Sequence, residues 1–277
     1  PFSFDITPAL SAKGVQKLTV KVTDSTDKGF QPHGKQVLEP HGIWYTPVTG
    51  IWQTVWIEPV PAANHIAGIT TRSDIRAGVL SVDVKTARTG SDRVCVTLSA
   101  DGKTLAERSS MAGQPVHLAV EHPRLWSPDD PYLYDLTVTL VRDGRVIDRA
   151  ESYAALREIA TGRDANGIER MTLNGRPLFH FGPLDQGWWP DGLYTAPTDE
   201  ALLYDIRFTK QLGFNMIRKH IKVEPERWYW HCDREGILVW QDMPSGDMST
   251  GKWEPHPRLK YAEQQPCWGI PLLCGCW

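Results

Sequence analysis

Leu173-Asn-Gly-Arg-Pro-Leu-Phe-His-Phe-Gly182 opens a stretch, running to Val239-Trp-Gln-Asp-Met-Pro-Ser-Gly246, in which short apolar runs alternate with segments of helical period. Arg176 to Phe181 reads as a first strand closed by Gly182, and the loop behind it carries Asp185, Trp188, Trp189, Asp191 and Tyr194. Thr198 suits a helix N-cap, Asp199 and Glu200 put negative charge on the first turn, and Leu202, Leu203, Ile206 and Leu212 recur at roughly helical spacing before Gly213. Phe214 to Lys219 is expected to be a buried strand. Pro225 suits the first turn of a second helix that Gly236 ends, and Ile237 to Gln241 makes a third strand. The predicted order is βαβαβ.

Strands that alternate with helices across short loops pair in parallel, and the loops after their C-terminal ends carry the site in such folds. Three strands do not close a barrel of eight, so this part is expected to be the first three βα units of an incomplete TIM barrel. Beyond Gly246 the pattern fails. Residues 253 to 260 are polar and Pro-rich, the end has neither helical nor strand period, and the tail from about residue 253 reads as artefactual or frame-shifted. Cys267, Cys274 and Cys276 lack the paired C-x-x-C spacing of a zinc site, so no metal and no cofactor is expected.

The other properties of the 277 residues bound the function. With 41% hydrophobic and 23% charged residues the chain is globular and long enough for two or three domains. A net charge of -3 and a pI near 6.3 supply no broad basic field, and no nucleic-acid partner is expected. No apolar run approaches the ~20 residues that cross a bilayer, so no membrane partner is expected either. The chain starts at Pro1 without an initiator Met or a signal-peptide pattern, which reads as a truncated start. Cys95 and Cys232 outline no disulfide framework, and localisation and oligomeric state stay open.

Twelve Trp, many beside Gly and Pro, fit sugar surfaces: an indole packs on the C–H face of a pyranose while polar neighbours meet its hydroxyls. The front half reads as β-rich. Leu18 to Val22 and Trp52 to Ile57 have strand character around a Gly- and Pro-rich loop at residues 31–50, suggesting part of a sandwich. Leu80 to Val84, Val94 to Leu98 and Leu136 to Val141 alternate, with Asp101-Gly102 and Asp143-Gly144 at hairpin turns; seven or so short strands here fit an immunoglobulin-like sandwich.

Gly42-Ile-Trp-Tyr-Thr-Pro-Val-Thr-Gly-Ile-Trp-Gln-Thr-Val-Trp56, Leu125-Trp-Ser-Pro-Asp-Asp-Pro-Tyr-Leu-Tyr134, Leu173-Asn-Gly-Arg-Pro177, Gly213-Phe-Asn-Met-Ile-Arg-Lys-His220, Trp228-Tyr229, Cys232-Asp233 and Gly236-Ile-Leu-Val-Trp240 occur in this order. Together they resemble glycoside hydrolase family 2, which includes β-galactosidases, β-glucuronidases and β-mannosidases, over roughly residues 1 to 250. The resemblance implies a multidomain β plus α/β chain. It assigns residues 1–61 to the C-terminal part of a jelly-roll sugar-binding domain, 62–158 to an immunoglobulin-like β-sandwich, and 159–277 to the N-terminal part of a (β/α)8 catalytic barrel. The implied partner is an oligosaccharide or β-glycoside substrate.

The resemblance also implies a retaining mechanism with an acid/base Glu preceded by Asn and a nucleophilic Glu, both beyond the three strands present. Such carboxyls stand about 5–5.5 Å apart and neither is dispensable. No Asn-Glu dipeptide occurs, so the chain is expected to be a catalytically incomplete fragment, truncated at both ends, with no catalytic residue of its own. What the resemblance carries over is a substrate floor. Arg218 and His220 match the family's Arg, which orients the nucleophile, and its His, which contacts sugar hydroxyls. Spacing alone favours a structural Arg and a satisfied core His, and the family context reverses that. Asp242, after the third strand, is either a hydroxyl acceptor or else a helix cap or loop salt bridge. Asp185, Trp188 and Trp189 form either a hydroxyl acceptor with a sugar platform, or, for the two rings, packing against a neighbouring domain.

Two departures stand out. The loop after the first strand lacks the Asn-Arg-His-Glu run of β-galactosidases, which leaves the sugar undetermined. Tyr153-Ala-Ala-Leu-Arg157 has alanines where members commonly have Phe-Gly, a change expected to remove aromatic packing at a domain junction. The competing reading is a non-catalytic carbohydrate-binding β-sandwich module, which the exposed third-strand edge of a partial barrel argues against.

Overall fold

The computed structural model describes residues 3–28 and 32–244, and the tail with Cys267, Cys274 and Cys276 lies outside the described residues. The described chain divides into two compact units, residues 3–52 with Pro244 and residues 53–243.

The second unit begins with seven antiparallel strands: β1 (Ile66–Asp74), β2 (Val79–Thr86), β3 (Arg93–Ala100), β4 (Lys103–Met111), β5 (Val116–Ala119), β6 (Tyr134–Arg142) and β7 (Arg145–Ala154). They form two sheets, ordered β1-β2-β5 and β4-β3-β6-β7. Period-two alternation makes the sandwich: Leu80, Val82 and Val84 of β2 and Leu118 of β5 meet Val94, Val96 and Leu98 of β3 and Leu136, Val138 and Leu140 of β6 in one buried core. The expected hairpin turns are present. Asp143 and Gly144 take φ of 48° and 73°, the left-handed pair of a type I′ turn, whose twist matches the flanking strands β6 and β7.

A small antiparallel sheet follows, β8 (Ile159–Arg163), β9 (Glu169–Leu173) and β10 (Arg176–Pro177), with β9 in the middle. The chain then runs through β11 (Leu184–Asp185), α1 (Asp199–Gln211), β12 (Met216–Lys219), α2 (Glu226–Glu235) and β13 (Leu238–Gln241). The three strands pair in parallel in the order β11-β12-β13, which is the expected βαβαβ. Thr198 caps α1 by accepting the Ala201 N–H at 3.1 Å, and Gly236 ends α2 in the left-handed conformation, where its N–H donates to the Cys232 carbonyl. Leu202, Ile206, Ile217, Trp228, Cys232 and Ile237 form the core between the helices and the sheet.

The sandwich and the α/β layer meet at a buried node. Trp126 Nε1 donates to the Asp233 carbonyl (2.7 Å), the Tyr153 hydroxyl donates to Asp233 Oδ2 (2.9 Å), and Arg157 pairs with Asp233 Oδ1 at 2.7 Å. The Arg157 guanidinium also lies 4.3 Å from the centre of the Trp126 ring. Ala154 is buried in the sandwich core, and Ala155 packs against the cluster of Trp126, Leu173, Met216 and Leu238.

Two expectations need correction. Leu18 to Val22 and Trp52 to Ile57 are not strands: the described residues before β1 hold a 3-10 turn at Thr7–Ala9 and a single bridge between Gln36 and Tyr45. Their apolar side chains are exposed, because alternation makes a strand only where a neighbouring strand supplies ladder hydrogen bonds. The first parallel strand is Leu184–Asp185 rather than Arg176 to Phe181. Arg176 and Pro177 instead pair antiparallel with Leu173 and Thr172, and Pro183, which has no N–H, restricts the parallel ladder to its far side. The Phe181, Pro183 and Asp185 carbonyls still accept from Asn215, Arg218 and His220.

Candidate functional site

Alternation along β12 sends its side chains to two different places. Ile217 packs among the helices and Met216 joins the Trp126 cluster on the other face of the sheet, so Arg218 and His220 follow Met216 while Lys219 follows Ile217. On the face away from the helices, Arg218 Nε lies 3.2 and 2.9 Å from the two Asp242 carboxylate oxygens, and Nη2 lies 2.9 Å from Oδ2. His220 Nδ1 is 2.6 Å from the same Oδ2. A carboxylate only accepts, so Nδ1 carries a proton, and Nε2 is the ring nitrogen left for a further partner. All three residues stand at the C-terminal ends of adjacent parallel strands, the end at which α/β sheets place their ligands. Trp240, paired in register with Arg218, shares this face and donates from Nε1 to His180 Nδ1 at 2.8 Å. Burial lowers the His180 pKa, which keeps that nitrogen an acceptor.

On the helix side the same strand end holds a compact charge cluster. The Lys219 ammonium donates to Asp185 Oδ2 (2.5 Å) and to Glu224 Oε1 (2.9 Å), with the Trp228 ring centre 4.3 Å away. The Lys222 ammonium lies 3.0 Å from Glu224 Oε1 and donates to the carbonyls of Gly187 (2.7 Å) and Tyr194 (2.8 Å). Both lysines and Glu224 are almost wholly buried. Burial pushes the Lys222 pKa down and the Glu224 carboxylate opposes the shift. Gln241 completes the frame: its amide donates to the carbonyls of Lys222 and Asp242, both at 2.8 Å, and its oxygen accepts from the Tyr229 hydroxyl.

The structure therefore brings Arg218, His220 and Asp242 together and sends the side chain of Asp185 elsewhere. Asp185 spends one oxygen on Lys219 and the other on the Gly187 N–H (2.7 Å), so it acts within the cluster. Trp189 packs against the helix-layer core. Trp188 lies 5.5 Å, centre to centre, from the tilted ring of Tyr194. Lys219, Lys222, Glu224 and Gln241 were not among the residues anticipated. The signal for Lys219 was available, since it sits two residues from Ile217 and must share its buried face. Lys222 and Glu224 lie in a loop, where no period applies.

Among the described residues no group of three His, Cys, Asp or Glu side chains is placed to hold a metal ion, and no helix is long and apolar enough to cross a membrane.

Residues 64–157, the sandwich, match the sequence family Glycosyl hydrolases family 2. A β-galactosidase of Halalkalibacterium halodurans is 26% identical over 98% of this chain and 25% of its own length. A β-galactosidase of Bacteroides ovatus is 29% identical over 94% of this chain and 30% of its own. The chain thus spans about a quarter to a third of the length of these relatives. A β-glucuronidase of Ruminococcus gnavus has a similar fold, with a TM-score of 0.62 at 22% identity over 71% of this chain and 32% of that one.

Proposed function

We propose that this chain supplies the sugar floor of a retaining β-glycoside hydrolase of the β-galactosidase type. In this reading residues 1–61 belong to a jelly-roll domain, 62–158 form an immunoglobulin-like sandwich, and 159–277 begin a (β/α)8 barrel. The relatives support the assignment because their similarity runs through all three segments.

One observation carries the proposal: Arg218, His220 and Asp242 are locked together at the C-terminal ends of neighbouring parallel strands. Arg218 has five N–H donors, and among the described residues Asp242 is the partner of its fork, which leaves donors for a second carboxylate. A guanidinium fixed in this way keeps a nucleophilic carboxylate ionised and oriented. His220 Nε2 is left to meet a sugar hydroxyl. The acid/base and nucleophilic carboxyls of the two-carboxylate mechanism are not contributed by the three strands described here, so the chain binds without turning over.

Two measurements test this. Incubated with nitrophenyl β-galactoside, β-glucuronide, β-mannoside and β-glucoside, the chain is expected to release no nitrophenol, and turnover that survives purification would overturn the claim of incompleteness. Saturation-transfer NMR with methyl β-D-galactopyranoside is expected to show binding that Arg218→Ala abolishes. Binding indifferent to that substitution would move the sugar site away from these strands and favour the sandwich as a carbohydrate-binding module.

A further inference from the structure

We infer that Lys222 is a positioning residue that holds the loop after β11 closed and sets the Trp188–Tyr194 aromatic pair at the strand end that carries Arg218, His220 and Asp242. The assignment of that pair to sugar binding rests on the function proposed above. The clamp itself rests on geometry alone.

The loop from Gly187 to Tyr194 is a small hairpin. Trp189 and Leu193 exchange both backbone hydrogen bonds, at 2.8 and 3.0 Å, and Leu193 takes a φ of 52°, an uncommon conformation for a branched residue that the surroundings have to enforce. A two-residue bridge does not hold a loop by itself. The Lys222 ammonium adds a restraint at both ends: it donates to Gly187, where the hairpin begins, and to Tyr194, where it ends. Its charge lies 4.5 Å from the centre of the Tyr194 ring, against which Trp188 packs, so the same atom fixes the backbone at both mouths and the aromatic surface between them.

The rest of the cluster holds Lys222 in place. Glu224 Oε1 accepts from Lys222 and Lys219 together, and Lys219 in turn holds Asp185, which caps the Gly187 N–H. The ring of contacts therefore returns to the residue at which it started. Gly187 shows how closely the loop is seated: with φ at 66°, a Cβ there would stand 2.4 Å from Glu224 Oε1 and 2.8 Å from Lys222 Nζ. A nucleophilic lysine needs an accessible neutral amine. Lys222 is 1% exposed and its ammonium meets three oxygen acceptors, so its chemistry is that of a staple.

Hydrogen exchange followed by mass spectrometry on the 277-residue chain tests this. Lys222→Met keeps the length of the side chain and removes the donors. It is expected to speed exchange in peptides covering 187–195 by about tenfold or more, while peptides from β3, β6 and α2 exchange as before. Unchanged protection in 187–195 overturns the proposal. So does an equal loss of protection across α1, β12 and α2, which would make Lys222 a general stabiliser. Gly187→Ala attacks the same clamp from the loop side and is expected to give the same local pattern, so the proposal can still be refuted if Lys222→Met does not fold. Methyl β-D-galactopyranoside separates the two readings. Loss of its saturation-transfer signal in Lys222→Met supports the clamp together with its sugar role. Local exchange without any sugar signal in the unsubstituted chain supports the clamp and removes the glycoside reading.

Discussion

Val79-Leu-Ser-Val-Asp-Val84 and Trp52-Gln-Thr-Val-Trp-Ile57 are both short β-formers rich in branched and aromatic residues, and they end in opposite states. The first is the middle strand of a sheet, with Leu80 and Val82 at 0% exposure. The second makes no strand, and Val55, Trp56 and Ile57 are 62%, 66% and 70% exposed. Intrinsic propensity does not separate them. What differs is that residues 64–157 contain every strand needed to pair and cover β2, whereas the described residues before β1 offer 52–57 no ladder at all. A β-sequence is a conditional instruction, and its condition is a partner.

This contrast is open to attack at several points. The largest effect is expected where the sandwich is tied to the α/β layer: Asp233→Ala removes the carboxylate that meets the buried Arg157 charge and the Tyr153 hydroxyl, and urea unfolding is expected to show a loss of about 3–5 kcal/mol. Leu98→Ala, in the sandwich core, is expected to cost about 3 kcal/mol. Val55→Ala is expected to change stability by less than about 0.5 kcal/mol, and an equal cost for the two would mean that the front segment is packed after all. Gly144→Ala forces a side chain into the left-handed turn between β6 and β7 and is expected to cost about 1 kcal/mol, read in the same way.

A further expected effect is one of pH. Hydrogen bonds from Arg142 and from Asn64 hold the Asp92 pKa down, from 3.8 to about 2. A carboxyl whose folded pKa is depressed stabilises the fold above its unfolded value, and that contribution disappears as the pH falls from about 4 through 2. Urea midpoints measured down this range are expected to fall more steeply for the unsubstituted protein than for Asp92→Asn. Parallel curves would remove the ion pair from the account of sandwich stability.

Much of the fold was legible because it depends on local chemistry. Thr198 and Gly236 mark helix ends through backbone groups that any helix must satisfy, and Asp101-Gly102 and Asp143-Gly144 mark turns through φ alone. The start of the parallel sheet was misplaced because Arg176 to Phe181 is apolar enough for either strand, and only the pairing with β9 decides between them. For the site, the family resemblance pointed to Arg218 and His220, where spacing alone favoured a structural Arg and a core His, and the place after the third strand pointed to Asp242. The side chain of Asp185 goes instead to a lysine thirty-four residues away that sequence order does not reveal. The Lys222 staple was equally invisible: the two acceptors that tie it to the loop are backbone carbonyls, which every residue has.

The node at Asp233 has a consequence for the order of folding. Its bonds to Tyr153 and Trp126 span 80 and 107 residues of chain, so they are expected to form after the sandwich and α2 have each taken shape. Interactions that arise so late contribute little to the folding barrier and act mainly on the rate of opening. Asp233 is in this sense a latch: it governs how long the two halves stay joined once they have met.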